Sequence, residues 1–259
     1  MRTVSLSLCA VALLVGCAAP KAEPRLEPEH GVQGTFSIVA VDPETGVCGA
    51  AVASMYPAVG KVVPWARAGV GAFCTQHWGD PKLGEPALDL LAEGKLPEEV
   101  LATLIKDDQR RDKRQLAIID MKGRAANRNA ADADMPLGWY WGAMSGRFYA
   151  CQGNCLTGRE VIVAMAKAYE ETQGSLTDRL MAALVAGDCA GGDHRGRLAA
   201  GIRVAKKGVD GYWLELQVDK SDDAVVELLK QYVELDHAAK GAWAGGKKPF
   251  ENPCPKRAK

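Results

Sequence analysis

Two short polar segments that contain glycine carry side chains that could take part in catalysis. Gln152 and Asn154 flank Gly153, and a turn of this kind can present a side-chain amide and backbone N–H groups to a developing oxyanion. Asp193 and Arg195 stand between glycines in the segment GGDHRGR, where glycine allows the backbone to come close to a ligand. A plain turn and a structural Asp–Arg ion pair would account for the same residues, so both interpretations stay open at this point.

A second group of candidates lies nearer the N-terminus. Ser54 could be a nucleophile or a hydrogen-bonding group, or simply a small residue at the end of a strand. Arg67 could bind a substrate carboxylate through two hydrogen bonds, or form an ordinary surface ion pair. Trp65 and Gln76 could line a substrate pocket, although aromatic residues fill cores more often. The sequence contains no GxSxG motif, so a serine–histidine triad is not favoured.

The first 16 residues have the layout of a secretory signal. Arg2 precedes an apolar run from Val4 to Val15, and small residues follow. The run is about twelve residues long, whereas a membrane-spanning helix needs roughly 20. The segment LVGC, which ends at Cys17, resembles the bacterial lipobox, in which the cysteine receives lipid. We therefore expect a lipid anchor on Cys17 in the cell envelope, on the outer membrane facing the periplasm. An ordinary signal peptide cut elsewhere is the alternative.

Composition divides the chain into four segments. Residues 1–16 are the signal peptide, and residues 17–34 form a lipidated cysteine with a proline-containing flexible tether. Residues 35–240 are long enough for one domain with a substantial core. Residues 241–259 are rich in Gly, Pro and Lys, and we expect a disordered tail. The 32 basic and 32 acidic residues balance, so the chain shows no electrostatic footprint for nucleic acid.

Six cysteines remain after the signal peptide and the lipid site are set aside. They can pair in many ways, and the sequence does not choose among them. Cys151 and Cys155 lack a second Cys or His pair at zinc-finger spacing, so a disulfide or a buried thiol is expected there rather than a metal. No metal or organic cofactor is expected. The six are Cys48, Cys74, Cys151, Cys155, Cys189 and Cys254.

Hydrophobic periodicity predicts blocks of strands that alternate with blocks of helices. The segments 35–42 and 48–55 are predicted strands that form a hairpin through the turn residues 43–46. A loop that contains Pro64 and Trp65 leads to the predicted strand 69–76, and the strand 114–121 is followed by a turn at 122–123 and a short return strand. Residues 139–141 and 147–151 are predicted as further strand or lining loop, and 198–205 and 212–219 as another hairpin. The predicted helices are 84–93, 97–106, 159–172, 176–186 and 221–239. This order favours an α+β fold in which helices cover the outer faces of antiparallel sheets, a four-layer αββα sandwich.

Several separate blocks of the sequence share a resemblance to known proteins. The blocks are GTFSIVAVDPETG from Gly34, AVAS ending at Ser54, PAVGKVVPWARAGVGA from Pro57, QGN from Gln152 and GGDHRGR from Gly191. Together they resemble one family, the domain of unknown function family 1028, which is similar to the N-terminal nucleophile (Ntn) hydrolases. The resemblance covers residues 35–239 and implies the same αββα sandwich. The activity that it implies is the hydrolysis of amide bonds.

The resemblance also implies a nucleophile. In Ntn hydrolases the first residue of the mature chain attacks the substrate, and its own α-amine serves as the general base. Thr35, directly after Gly34 at the start of the first strand, would take this role, and an α-amine has a reference pKa of about 8. The candidate catalytic residues are Thr35, Ser54, Arg67, Asn154 and Asp193. The candidate substrate-binding residues are Trp65, Gln76, Gln152 and Arg195.

A simple transfer of this mechanism meets a physical objection. Within the precursor the nitrogen of Thr35 belongs to a peptide bond, so it is not a base. A cut between Gly34 and Thr35 must therefore come first, made by the chain itself or by another protease, and it would separate the domain from Cys17. Three states are open: an anchored inactive precursor, a released active hydrolase, and an anchored protein that uses the fold differently.

We therefore expect an exported Ntn-type hydrolase of amide bonds, acting on a small-molecule or envelope-derived substrate, with a membrane contact through the lipid on Cys17. The alternative is a lipid-anchored binding or scaffolding protein with a non-catalytic hydrolase-like cleft. Association into homo-oligomers stays open.

Overall fold

The computed structural model describes residues 34–131, 138–235 and 254. The predicted signal peptide and the lipid site at Cys17 lie outside the described residues. So does the tether predicted over 17–34, apart from Gly34, and the tail predicted over 241–259, apart from Cys254.

The strands and helices follow the predicted blocks closely. The strands are β1 (Thr35–Asp42), β2 (Val47–Ser54), β3 (Pro64–Arg67), β4 (Gly71–Gln76), β5 (Gln115–Asp120), β6 (Ala125–Arg128), β7 (Tyr140–Gly146), β8 (Tyr149–Leu156), β9 (Ala199–Ala205) and β10 (Leu214–Val218). The helices are α1 (Val59–Val62), α2 (Gly84–Ala92), α3 (Pro97–Ile105), α4 (Glu160–Glu171), α5 (Leu176–Cys189) and α6 (Ala224–Glu234).

The strands form two antiparallel sheets that pack face to face. The larger sheet has the order β10-β9-β2-β1-β8-β7, and the smaller sheet has the order β3-β4-β5-β6. One apolar core lies between the sheets, a second lies between the larger sheet and α4, α5 and α6, and a third lies between the smaller sheet and α2 and α3. This arrangement confirms the predicted αββα sandwich, because each sheet has one face on the other sheet and one face on helices.

Strand β1 lies in the middle of the larger sheet, and its side chains alternate between the two faces. Phe36 and Ile38 belong to the core under the helices, whereas Val39 and Val41 belong to the core between the sheets. Because successive side chains of a strand point to opposite faces, Thr35 shares the inter-sheet face with Val39 and Val41. The N-terminal end of β1 therefore places a polar side chain between the sheets.

Two polar or proline-containing segments differ from their predicted structure. Pro64 and Trp65 were expected in a loop but lie in β3, which tolerates Pro64 because proline is the first residue of an edge strand and no ladder N–H is needed there. Gln152 and Asn154 were expected in a turn but lie within β8, where they pair with Ser37 and Thr35 of β1. Polar partners between the sheets, described below, accommodate their side chains.

One disulfide joins two of the six cysteines. Cys189, at the end of α5, is bonded to Cys254, so this residue of the predicted disordered tail is buried and covalently fixed to the domain. The other cysteines of the described part are buried and take no part in a disulfide: Cys48, Cys74, Cys151 and Cys155. For Cys151 and Cys155 the structure thus shows the thiol alternative rather than a disulfide.

Candidate active site at the Gly34–Thr35 junction

Thr35 lies where three strands meet. It is the first residue of β1, and its backbone is paired with Ser54 of β2 on one side and with Asn154 of β8 on the other. Thr35 and Ser54 are fully buried, and Asn154 is 2% exposed. The sheet therefore brings together three residues that the sequence analysis selected from separate segments.

Two hydroxyl groups connect the side chain of Thr35 to the carbonyl group before it. The Thr35 hydroxyl donates to Ser54 Oγ over 3.1 Å, and Ser54 Oγ donates to the carbonyl oxygen of Gly34 over 2.5 Å. The backbone N–H of Tyr56 donates to Ser54 Oγ over 2.9 Å and holds it in place. Arg195 Nη2 is a second donor to the Gly34 oxygen, at 3.0 Å. The Gly34 carbonyl is therefore polarised by a hydroxyl group and a cation together.

The segment with Asp193 and Arg195 is held against this junction by its own hydrogen bonds. Arg195 Nε and Nη2 donate to the two carboxylate oxygens of Asp193 over 3.1 and 2.9 Å. Asp193 Oδ2 also accepts from the backbone N–H of Met55 over 3.0 Å, and the N–H of His194 donates to the carbonyl of Cys155 over 2.9 Å. The buried carboxylate of Asp193 thus fixes the orientation of the Arg195 guanidinium group, because two donors of the planar guanidinium bind the two carboxylate oxygens.

Gly34 occupies a position in which a side chain would displace its neighbours. Its φ angle of 78° is in the left-handed region that favours glycine. Its N–H donates to Asn154 Oδ1 over 2.5 Å. A Cβ atom added here would lie 2.5 Å from Asp193 Oδ2 and closer still to Arg195 Nη2. The residue before Thr35 must therefore be glycine for this set of contacts to exist.

A buried polar network extends from Thr35 into the space between the sheets. Gln76 of β4 donates from Nε2 to the Thr35 carbonyl over 3.2 Å and to Gln115 Oε1 over 2.8 Å. Asn154 Nδ2 donates to the same Gln115 oxygen over 2.8 Å, and the Ser37 hydroxyl donates to Gln76 Oε1 over 2.6 Å. Because buried polar networks of this kind are rigid when their members are paired, the network fixes the position of Asn154 and of the start of β1.

Two members of this network, Ser37 and Gln115, were not among the predicted site residues. Ser37 interrupts the apolar residues of the strand segment TFSIVAVD, and Gln115 is the polar first residue of the otherwise apolar segment QLAII. A polar residue in or directly before an apolar strand segment is the signal that could have found them. Gln152, which the analysis included, lies beside them: its Nε2 donates to Ser37 Oγ over 3.5 Å, a long hydrogen bond. It faces the network rather than the Gly34 carbonyl.

Cys155 is a potential nucleophile close to the junction, but its protonation state argues against that role. Burial raises the pKa of its thiol to about 11, and the nearby Arg195 only partly opposes this effect. The thiol is therefore protonated at neutral pH, and the thiolate is the reactive form of cysteine.

Arg67 and Trp65 do not join this cluster. Arg67 forms ion pairs with Glu85 and Asp89, at 2.5 and 2.7 Å, and its carbonyl oxygen accepts from the thiol of Cys48. Cys48 lies at the end of β2 away from Ser54. Trp65 donates its indole N–H to the carbonyl oxygen of residue 62 over 3.3 Å and packs beside the start of α2. The structure thus places these two residues at the other end of the hairpin from Thr35.

The cluster at the junction contains the groups that cleavage of its own peptide bond would require. A hydroxyl group lies one residue after a carbonyl group that has two donors on its oxygen, and a second hydroxyl group links the two. Hydrogen bonds aimed at an oxygen that gains negative charge lower the barrier to acyl transfer.

Comparison with known proteins assigns the chain to a family. The sequence model of a family of unknown function, DUF1028, matches residues 35–228. The chain belongs to the DUF1028 family. Among solved structures, the DUF1028 domain is similar to protein SPO2555 from Silicibacter pomeroyi, a crystal structure of the same family. The TM-score is 0.71 and the sequence identity is 29%, over 80% of this chain and 89% of the other. No curated protein matches this sequence significantly.

Membrane-spanning helices and clusters of metal ligands are both absent from the described part of the DUF1028 protein. In residues 34–131, 138–235 and 254, no helix is long and apolar enough to span a membrane. The same residues contain no group of three or more His, Cys, Asp or Glu side chains that could hold a metal ion.

Proposed function

We propose that this DUF1028 protein is an exported Ntn-type hydrolase of amide bonds, activated by cleavage between Gly34 and Thr35. The observation that carries the proposal is the pair of hydrogen bonds that the Gly34 carbonyl oxygen accepts, from Ser54 Oγ at 2.5 Å and from Arg195 Nη2 at 3.0 Å. The segment matched by the family begins at Thr35 itself, which supports residue 35 as the start of the functional domain.

Activation would proceed by transfer of the Gly34 acyl group to its neighbour. The Thr35 oxygen attacks the Gly34 carbonyl carbon while its proton passes to Ser54, and Ser54 passes its own proton to the carbonyl oxygen. The C–N bond then breaks, the nitrogen of Thr35 takes up the proton, and an ester joins Gly34 to the Thr35 oxygen. Water hydrolyses this ester, which leaves a carboxylate on Gly34 and a free hydroxyl and amine on Thr35.

The liberated amine would then serve as the general base of each later turnover. An α-amine with a pKa of about 8 can accept the proton of the Thr35 hydroxyl near neutral pH. Attack on a substrate amide forms an ester with Thr35 and transfers that proton to the departing amine, and water completes the reaction. Arg195 and Ser54 would donate to the substrate carbonyl oxygen as they do to that of Gly34.

Export remains part of the proposal on sequence grounds. The first 16 residues have the layout of a signal peptide, and Cys17 lies in a lipobox-like segment. Cleavage after Gly34 would release the domain from the fragment that carries Cys17. The lipid would hold the precursor at the envelope, and the mature hydrolase would be freed from it.

Intact-mass measurement of the full chain, purified from its own envelope, tests the proposal. For the wild type we expect a species that begins at Thr35 and hydrolyses acyl-amide substrates. The Thr35→Ala variant should remain uncut, whereas the Thr35→Ser variant should be processed because a hydroxyl group remains. Hydrolysis by a sole species that begins at Cys17 would refute the mechanism. An uncut wild-type chain that binds a ligand equally well with alanine at 35 would favour the binding-protein alternative.

A further inference from the structure

The precursor holds one acyl group in the candidate active site, and that group is glycine. The Gly34 carbonyl oxygen accepts from Ser54 and Arg195, and its N–H donates to Asn154 Oδ1. On the remaining side, where a side chain would begin, the space is filled by Asp193 Oδ2 and the Arg195 guanidinium. The surroundings thus recognise a carbonyl group and an N–H group and exclude a Cβ atom.

The chemistry of activation connects this surrounding to substrate choice. The ester formed during self-cleavage joins the carboxyl carbon of Gly34, itself N-acylated by the preceding chain, to the Thr35 oxygen. A substrate with an N-acylglycyl group would form an ester of the same composition at the same oxygen when its amide bond breaks. Water would then release the N-acylglycine carboxylate and restore the Thr35 hydroxyl. A site that hydrolyses the first ester must accommodate the second.

We infer that the mature domain is selective for substrates in which an N-acylated glycine supplies the acyl group, such as peptides cut after glycine. The inference rests on the proposed function and adds the substrate class. Arg195 and Asp193 would exclude side chains larger than hydrogen at the acyl residue, and Asn154 would accept the N–H of that residue.

The precursor itself provides the first test, in the full chain. Gly34→Ala introduces a Cβ atom into occupied space and should slow processing at least about tenfold, the smaller end of what one misfitting methyl group costs. Gly46→Ala is a matched control, because Gly46 also has a left-handed φ of 71° but nothing lies within 4 Å of an added Cβ atom. Equal processing of the two variants would overturn the inference.

A substrate panel on the processed wild-type chain provides the second test. The probes are the aminomethylcoumarin amides of acetylglycine, acetylalanine and butyric acid, the last of which lacks the N–H group. We expect kcat/KM for the acetylglycyl amide to be at least about tenfold higher than that for the acetylalanyl amide. It should also be about tenfold higher than that for the butyryl amide. In Asn154→Ala the preference over the butyryl amide should fall toward one.

The outcomes separate this inference from the proposed function. A chain that is never cut at residue 34 refutes both. A processed chain that hydrolyses the acetylalanyl amide as fast as the acetylglycyl amide, or neither of them, refutes the glycine selectivity and leaves the cleavage standing. If Asn154→Ala is not processed, the wild-type panel alone decides.

Discussion

Replacing Ser54 by alanine should slow self-cleavage strongly without unfolding the domain. The change removes the donor 2.5 Å from the Gly34 oxygen and the acceptor 3.1 Å from the Thr35 hydroxyl. Loss of one donor to a developing oxyanion raises the barrier by about 2.7–4 kcal/mol, so the rate should fall by about 10²–10³. Arg195 still donates to the same oxygen, so cleavage should be slowed rather than abolished. The free energy of unfolding should fall by only about 1–3 kcal/mol.

The assay is a time course of intact mass on the full-length precursor, with urea unfolding of each variant in parallel. Ser37→Ala is the matched control, since Ser37 also carries a buried hydroxyl on the inter-sheet face, two residues from Thr35 along β1. Its hydroxyl donates to Gln76 and not to the Gly34 carbonyl, so processing should stay within a few-fold of wild type. A folded Ser54→Ala variant that is cut at the wild-type rate would refute the relay. Equal slowing in both variants would show that the effect belongs to the network and not to Ser54.

Three further predictions concern residues outside the junction. Arg67→Gln should lower the free energy of unfolding by less than about 1 kcal/mol, because its ion pairs are partly exposed, and leave processing unchanged; slower processing would contradict the assignment. Replacing Cys189 and Cys254 by serine removes a cross-link between residues 65 positions apart and should lower the free energy of unfolding by up to about 4 kcal/mol. An unchanged urea midpoint would contradict a stabilising role of this disulfide. Burial raises the pKa of Cys74 from 9.0 to about 12, so the protonated thiol is favoured in the folded state. The contribution of Cys74 to the free energy of unfolding should be constant well below pH 9 and fall above it, by up to about 1.4 kcal/mol per pH unit. Cys74→Ala should show a smaller fall.

The local parts of the site follow from the sequence. The alternating segment 35–42, the turn residues 43–46 and the apolar segment after them predict a hairpin. With a four-residue loop, the hairpin register places Thr35 opposite Ser54, as the structure shows. The αββα layers also follow, because blocks of strands and helices alternate along the chain.

The non-local parts could not be derived in this way. Asn154 pairs with Thr35 because β8 lies beside β1 in the sheet, and no local pattern determines which strands become neighbours. Gln115 contacts Asn154 across the two sheets for the same reason. Arg67 was expected near Thr35 but lies apart from it. Its strand β3 belongs to the smaller sheet and brings Arg67 close to Cys48 rather than to Ser54. Closeness in sequence to Thr35 was therefore a poor guide to closeness in space.

The disulfide has a practical consequence for labelling the protein. Cys254 is joined to Cys189, and the chain runs from there within a few residues to Asp193, beside Gly34. The disulfide therefore fixes residue 254 to the end of the helix that leads into the segment beside Gly34. A fluorophore or affinity tag attached at residue 254 would act on that segment. The turn at Gly208, between β9 and β10 and remote from Ser54, has open space around it and is the better attachment point.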